Sequence, residues 1–166
     1  MKYLLPLLLL SHLTAAQWVG KGQVMVEAGA LPAFSTHLKA GYVFRDNVVA
    51  GVFAEHQDLF TEISETGVFG RKYMLDKRRV NFYLQGGASV GRYKLWSWGF
   101  EKLSREEKRR DRTFTALKFI GGCGVNWRLG DRMSLGHEFA VGISNYREYS
   151  FPSSHFTFNY RFGPKP

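Results

Sequence analysis

The chain has one cysteine, Cys123, so no disulfide can form within it. Beyond the N-terminal leucines no stretch reaches the roughly 18 apolar residues that a membrane helix needs, which excludes a polytopic helical protein. Low-complexity tracts and Pro- or Ser-rich linkers are missing too. The only charge run, Glu101 to Arg112, would cut the chain into pieces too small to close a core, so one domain with a charged loop is expected. Acidic residues are scarce beside basic ones, 14 against 23, for a formal net charge of +9. That positive charge is spread along the chain, and no nucleic-acid partner is expected.

The N-terminus has the form of a cleavable secretory signal: Lys2, an apolar run from Leu4 to Leu10 interrupted by Pro6, and small residues at Thr14-Ala15-Ala16. Residues 1–16 are read as the signal and 17–166 as the mature domain. Cleavage leaves 150 residues (166 − 16) and, because Lys2 is the only charge removed, a net charge of +8 (+9 − 1). No cysteine lies near the cleavage region, which argues against a lipid-anchored N-terminus.

What the chain does have is period-two alternation, the mark of strands with two different faces. Eight candidates lie near 22–31, 37–45, 48–55, 63–75, 80–93, 113–129, 133–145 and 155–162. In the fifth, Val80, Phe82, Leu84, Ala88 and Val90 oppose Asn81, Tyr83, Gln85, Ser89 and Gly91. In the fourth, either parity leaves a cation, Arg71 or Lys72, on the apolar face, so a bulge or an interfacial position is needed there. Sharp Asp-containing turn signals at Arg45-Asp46-Asn47, Asp76-Lys77-Arg78-Arg79 and Gly130-Asp131-Arg132 alternate with longer polar loops. The pattern predicts an all-β, eight-stranded antiparallel up-and-down barrel.

Alternation alone does not say which face points inward. A soluble, lipocalin-like carrier would turn its apolar face in and show Lys, Glu and Thr to water. Here the second face is dominated by Gly, Ala, Ser, Asn and Gln, with charges of both signs at Glu27, Lys39, Arg45, Glu55, Lys118, Glu138 and Arg161. That composition suits a narrow lumen in which an ionic network replaces an oily core, leaving the apolar face for lipid. Aromatics fall near strand ends, with Phe44, Phe82, Trp127 and Phe162 toward the short turns and Tyr93, Phe114, Tyr146 and Phe156 toward the loops. Two aromatic belts are what a membrane-spanning barrel carries.

The last strand, His155-Phe156-Thr157-Phe158-Asn159-Tyr160-Arg161-Phe162, resembles the C-terminal assembly signal of Gram-negative outer-membrane barrels, with Phe156, Phe158, Tyr160 and Phe162 as its alternating aromatics. Together with the signal peptide, the strand count and the short turns, it makes the mature chain similar to small eight-stranded barrels of the OmpA/OmpX type. The departure is the tail Gly163-Pro164-Lys165-Pro166, whose prolines are not expected to join the ladder. The resemblance implies residence in the outer membrane, contact with its lipid and lipopolysaccharide, insertion by the barrel-assembly machinery, and a monomer.

Chemistry is sparse. Outer-membrane lipid A deacylases are eight-stranded barrels with a His-x-Ser-Asn motif late in the penultimate strand, and Gly142-Ile143-Ser144-Asn145 matches only its Ser-Asn half. Without an imidazole at 142, Ser144 lacks a base; His155 is the first substitute to consider, by its inward parity. His37, His56 and His155 lie near expected loop ends, where a metal cluster on the extracellular rim is conceivable, but they come from different hairpins with no local ligand spacing and are read as facing solvent. The loop Lys94 to Asp111 could rest aromatics at the interface and offer cations to lipopolysaccharide phosphates, or be simply solvated. No catalytic residue, metal or cofactor is expected. A structural or surface-interaction role leads, ahead of a narrow channel and a deacylase-like hydrolase.

Overall fold

Outward-facing positions recur every second residue along the strands and most are apolar, and the structure, a computed structural model, sets them on the outside of a closed barrel. Residues 19–31, 35–58, 61–76, 79–95, 113–145 and 150–164 are described. The signal segment 1–16 and positions 96–112 of the charged loop lie outside them. The strands are β1 (Val24–Leu31), β2 (Ser35–Arg45), β3 (Val48–Asp58), β4 (Thr61–Asp76), β5 (Val80–Leu95), β6 (Thr113–Arg128), β7 (Met133–Ser144) and β8 (Ser150–Phe162). Each pairs antiparallel with its sequence neighbours, and β1 pairs with β8 to close the ring.

The outer face carries Leu38, Tyr42, Val52, Val68, Leu84, Leu117, Phe119, Ile143 and Phe156, while Glu27, Lys39, Glu65, Arg71, Lys118 and Glu138 are buried. The barrel is therefore inside out, as the small, balanced-charge second face predicts. Phe44, Phe82, Trp127 and Phe162 are exposed at the short-turn end, and Phe156 on the opposite half. Tyr93, expected in the belt at the loop end, is instead fully buried. Its parity matches Ser89 and Gly91, and its hydroxyl finds a carboxylate inside. The side chains of Phe114 and Tyr146 lie outside the described residues.

Three expectations about the connections change. Between β1 and β2 only positions 32–34 intervene, and between β3 and β4 only 59–60, so these loops are short. The alternation simply continues past the polar residues read as loop. Likewise β8 starts at Ser150 and takes in Pro152, which signals a turn in sequence but is tolerated here near the strand end. Finally, Arg45 is exposed: the pairing of β2 with β3 shifts between Val43 and Arg45, so Phe44 and Arg45 both face out and Arg45 leaves the lumen. The turn that follows is tight, with Asn47 at a φ of 61°, a left-handed conformation that Asn tolerates better than most residues.

The short-turn end is stoppered from within. Residues 19–23 run back across it, with Asn47 N donating to Val19 O (3.1 Å) and Gly22 N to Val43 O (2.8 Å). Val19, Met25, Val43 and Val49 pack there with Tyr73 and Tyr83. Just beyond β8, Gln23 Nε2 donates to Pro164 O at 2.9 Å, tying the tail to the same end. As expected of the tail, β8 ends at Phe162.

Candidate functional site: the lumen

Above the apolar stopper lies an ionic cluster centred on Arg71 of β4. Its guanidinium donates to both oxygens of Glu27, Nη1 to Oε2 at 2.6 Å and Nη2 to Oε1 at 3.0 Å, a fork that only arginine presents. Nη2 also reaches Glu138 Oε2 at 2.9 Å and Gln85 Oε1 at 3.1 Å. The cation stacks over the Tyr83 ring at 4.0 Å, and the Tyr83 hydroxyl donates to Glu138 Oε2 at 3.0 Å. Lys39 completes the cluster between Glu138 Oε1 at 2.5 Å and Glu27 Oε1 at 3.4 Å. Two carboxylates and two cations thus neutralise one another across β1, β2, β4 and β7. Gly124 makes room for this, since it pairs with Tyr83 and a methyl there would collide with the Tyr83 ring.

A second cluster lies toward the loop end. Lys118 Nζ meets Glu65 Oε1 at 2.5 Å, and the hydroxyls of Tyr93 and Ser89 donate to Glu65 Oε2 at 2.8 and 3.2 Å. Glu55 is half-buried beside it, 3.7 Å from His155 Nε2. Between the two clusters is a cavity of about 20 Å³ bordered by Lys39, Glu55, Phe69, Lys118 and Glu138, room for about one water.

Of the seven lumen residues expected from sequence, Glu27, Lys39 and Glu138 meet in one cluster, while Glu55 and Lys118 lie one layer toward the loops. Arg161 is buried nearer the turns, opposite Met25. Arg45 is outside. Sequence reasoning missed the two residues that organise the clusters, Arg71 and Glu65. Both lie on β4, whose parity could not be chosen while Arg71 and Lys72 were adjacent. The structure puts Arg71 inward and lets Lys72 face out near the turn end, with a bulge between Tyr73 and Leu75 beyond it. The signal available was parity shared with Glu65, Phe69 and Tyr73.

Ser144 faces the lumen opposite Lys118, and buried Gly142 lies under the Lys118 stem, so no imidazole stands at 142. His155 pairs with Glu138, six residues from Ser144 along β7 (144 − 138 = 6), or roughly 20 Å at strand rise. Its proposed service as a base for Ser144 fails on that register. The histidine reading also changes. His56 is exposed and bonds Ser64, but His37 and His155 are buried and meet edge to face with ring centroids 4.4 Å apart. Their strands, β2 and β8, are brought close because each flanks β1.

No protein-family model and no curated protein sequence matches the chain. Solved structures do. The N-terminal β-barrel domain of Pseudomonas aeruginosa OprF superposes with a TM-score of 0.68 at 12% identity, covering 87% of this chain and all 100% of that one. Neisserial surface protein A gives 0.56 at 14% identity, covering 84% and 92%. A de novo designed transmembrane β-barrel gives 0.56 at 12%, covering 87% and 98%. The architecture is therefore that of the small outer-membrane barrels. Since a designed chain shares it, the fold alone carries no function.

Proposed function

We propose that this barrel of the OmpA/OmpX type is a non-enzymatic protein of the outer membrane with a structural or surface-interaction role. The observation that carries the reading is a lumen blocked twice, by the Val19-Met25-Val43-Val49 stopper and by the Arg71-centred ion cluster, with a water-sized cavity of about 20 Å³ between the ionic layers. A pore needs a continuous wet path, and an eight-stranded ring holds little beyond its own side chains. A deacylase of the His-x-Ser-Asn kind needs an imidazole two residues before its serine, and here Gly142 holds that position while His155 pairs with Glu138, away from Ser144.

Secretion through cleavage of residues 1–16, insertion by the assembly machinery with Phe156, Phe158, Tyr160 and Phe162 as its signal, a monomeric state, and contact of the Lys94–Asp111 loop with lipopolysaccharide belong to the same proposal. The likeness to a Neisserial surface protein supports a role on the outer face. Reconstituted into planar bilayers at membrane potentials of either sign, the purified barrel is expected to show no unitary current steps. Reproducible steps in the unmodified protein would replace this reading with the narrow channel.

A further inference from the structure

Three buried imidazole nitrogens in the lumen, His37 Nδ1 and both Nδ1 and Nε2 of His155, have no hydrogen-bond partner among the described residues. A buried polar atom left unpaired is uncommon and points to a water or an ion that belongs with it. His37, His155 and Glu138 each bring a nitrogen or carboxylate oxygen to within 4.8 Å of the others. A neighbouring acid orients the His37 ring. His37 Nε2 lies 3.2 Å from Glu27 Oε1; as a carboxylate only accepts, Nε2 carries the proton and the lone pair falls on Nδ1. Glu55, 3.7 Å from His155 Nε2, is too far for a hydrogen bond. An imidazole backed by a carboxylate, as His37 is, is the arrangement that presents histidine to a metal.

Local pairing points the same way. Glu27 and Glu138 are held by Lys39 and Arg71, and Glu65 by Lys118. Among the described residues Glu55 has no lysine or arginine at ion-pair distance. Lys39, which now holds Glu138 Oε1, can keep its charge paired on Glu27, 3.4 Å away, if a metal takes that oxygen. Space has been left for the His37 ring as well: Gly29 pairs with His37, and a methyl there would lie 2.5 Å from two ring atoms.

We propose that His37, His155 and Glu138 form a binding site for one first-row divalent ion of the zinc class, inside the loop-end half of the barrel. Two imidazoles and a carboxylate suit zinc, with a fourth position for water or Glu55. On β2 only Ser35 lies between His37 and the loop end of the strand among inward-facing residues. The ion would link β2, β7 and β8 and so clasp the seam where β1 closes the ring. This goes beyond the proposed surface role and does not depend on it.

The test uses untagged, chelator-washed, folded barrel in detergent. Equilibrium dialysis against zinc should give one ion per barrel, cobalt should give the visible bands of a four-coordinate site, and zinc but not magnesium should raise the unfolding midpoint. His37→Gln and His155→Gln, checked for folding by gel mobility and circular dichroism, should each weaken zinc binding by at least the roughly tenfold that loss of even an outer partner causes. Gly29→Ala should weaken it by displacing the His37 ring, whereas His56→Gln and His137→Gln should not. If the variants fail to fold, X-ray absorption on the zinc-loaded wild type decides: scattering from two imidazoles supports the site, and a shell without imidazole overturns it. Absence of stoichiometric binding, or binding that survives loss of both His37 and His155, would also overturn it.

Discussion

Arg71 shows how much one side chain can hold in a lumen this narrow. It satisfies Glu27 with a bidentate fork, reaches Glu138 and Gln85, and lies against Tyr83. Removing it would leave two buried carboxylates with Lys39 as their one lysine or arginine among the described residues. Arg71→Met is therefore expected to lower unfolding stability by about 3–5 kcal/mol, the usual consequence of breaking a buried pair from one side. The exposed Arg92→Ala should stay within about 0.5 kcal/mol of wild type. Urea titrations of the folded barrel in detergent would read both. Equal midpoints for the two variants would mean that the cluster does not support the fold. Lysine at 71 is a poor substitute, since it has no planar fork to match Glu27.

Along a strand, the decisive quantity is parity. On β6, Phe119 is among the most exposed apolar residues while its neighbour Lys118 is buried on Glu65. Phe119 pairs with Ala88 on one side and Ile143 on the other, in the body of the sheet. Phe119→Arg should thus set a cation against hydrocarbon and cost about 2–4 kcal/mol in a bilayer. Folding yield into lipid vesicles measures this, and normal insertion of that variant would count against a lipid-facing outer surface. Bulges are where parity changes: one at Val43/Arg45 moves Arg45 out of the lumen, and one at Tyr73/Leu75 sits at the turn end of β4. Both lie next to short turns, where a barrel can add a residue without disturbing the paired middle.

For the molecule as a whole, the closed ring leaves two unlike ends. One has the Asp46-Asn47 turn and the apolar stopper; the other lies at Lys94, where the charged loop begins. If the short turns are periplasmic, Ser104→Cys in a Cys123→Ala background should react with an impermeant thiol reagent on intact cells, while Lys77→Cys reacts only after lysis. Equal labelling of both on intact cells would sink this orientation. Closure also explains why the interior tolerates so much charge: every strand edge is paired, so ions are held by fixed partners on several strands at once.

Much of this was legible in order of residues alone, because strand alternation is local: the apolar positions of β5 and β6, the buried Glu27, Lys39, Lys118 and Glu138, and the aromatic final strand all follow from a two-residue period. The inside-out sense was legible too, from Gly, Ser and Asn where a soluble barrel would show Lys and Thr. Partnerships were not. Arg71 meets Glu27 across 44 positions and Glu138 across 67, and His37 meets His155 only because β2 and β8 both flank β1. Such meetings depend on register and on how the ring closes, and a pattern along one strand carries neither. The same holds for Arg45 and Ser144: a single bulge turns the first outward, and six residues of register separate the second from the histidine that parity alone would have paired with it.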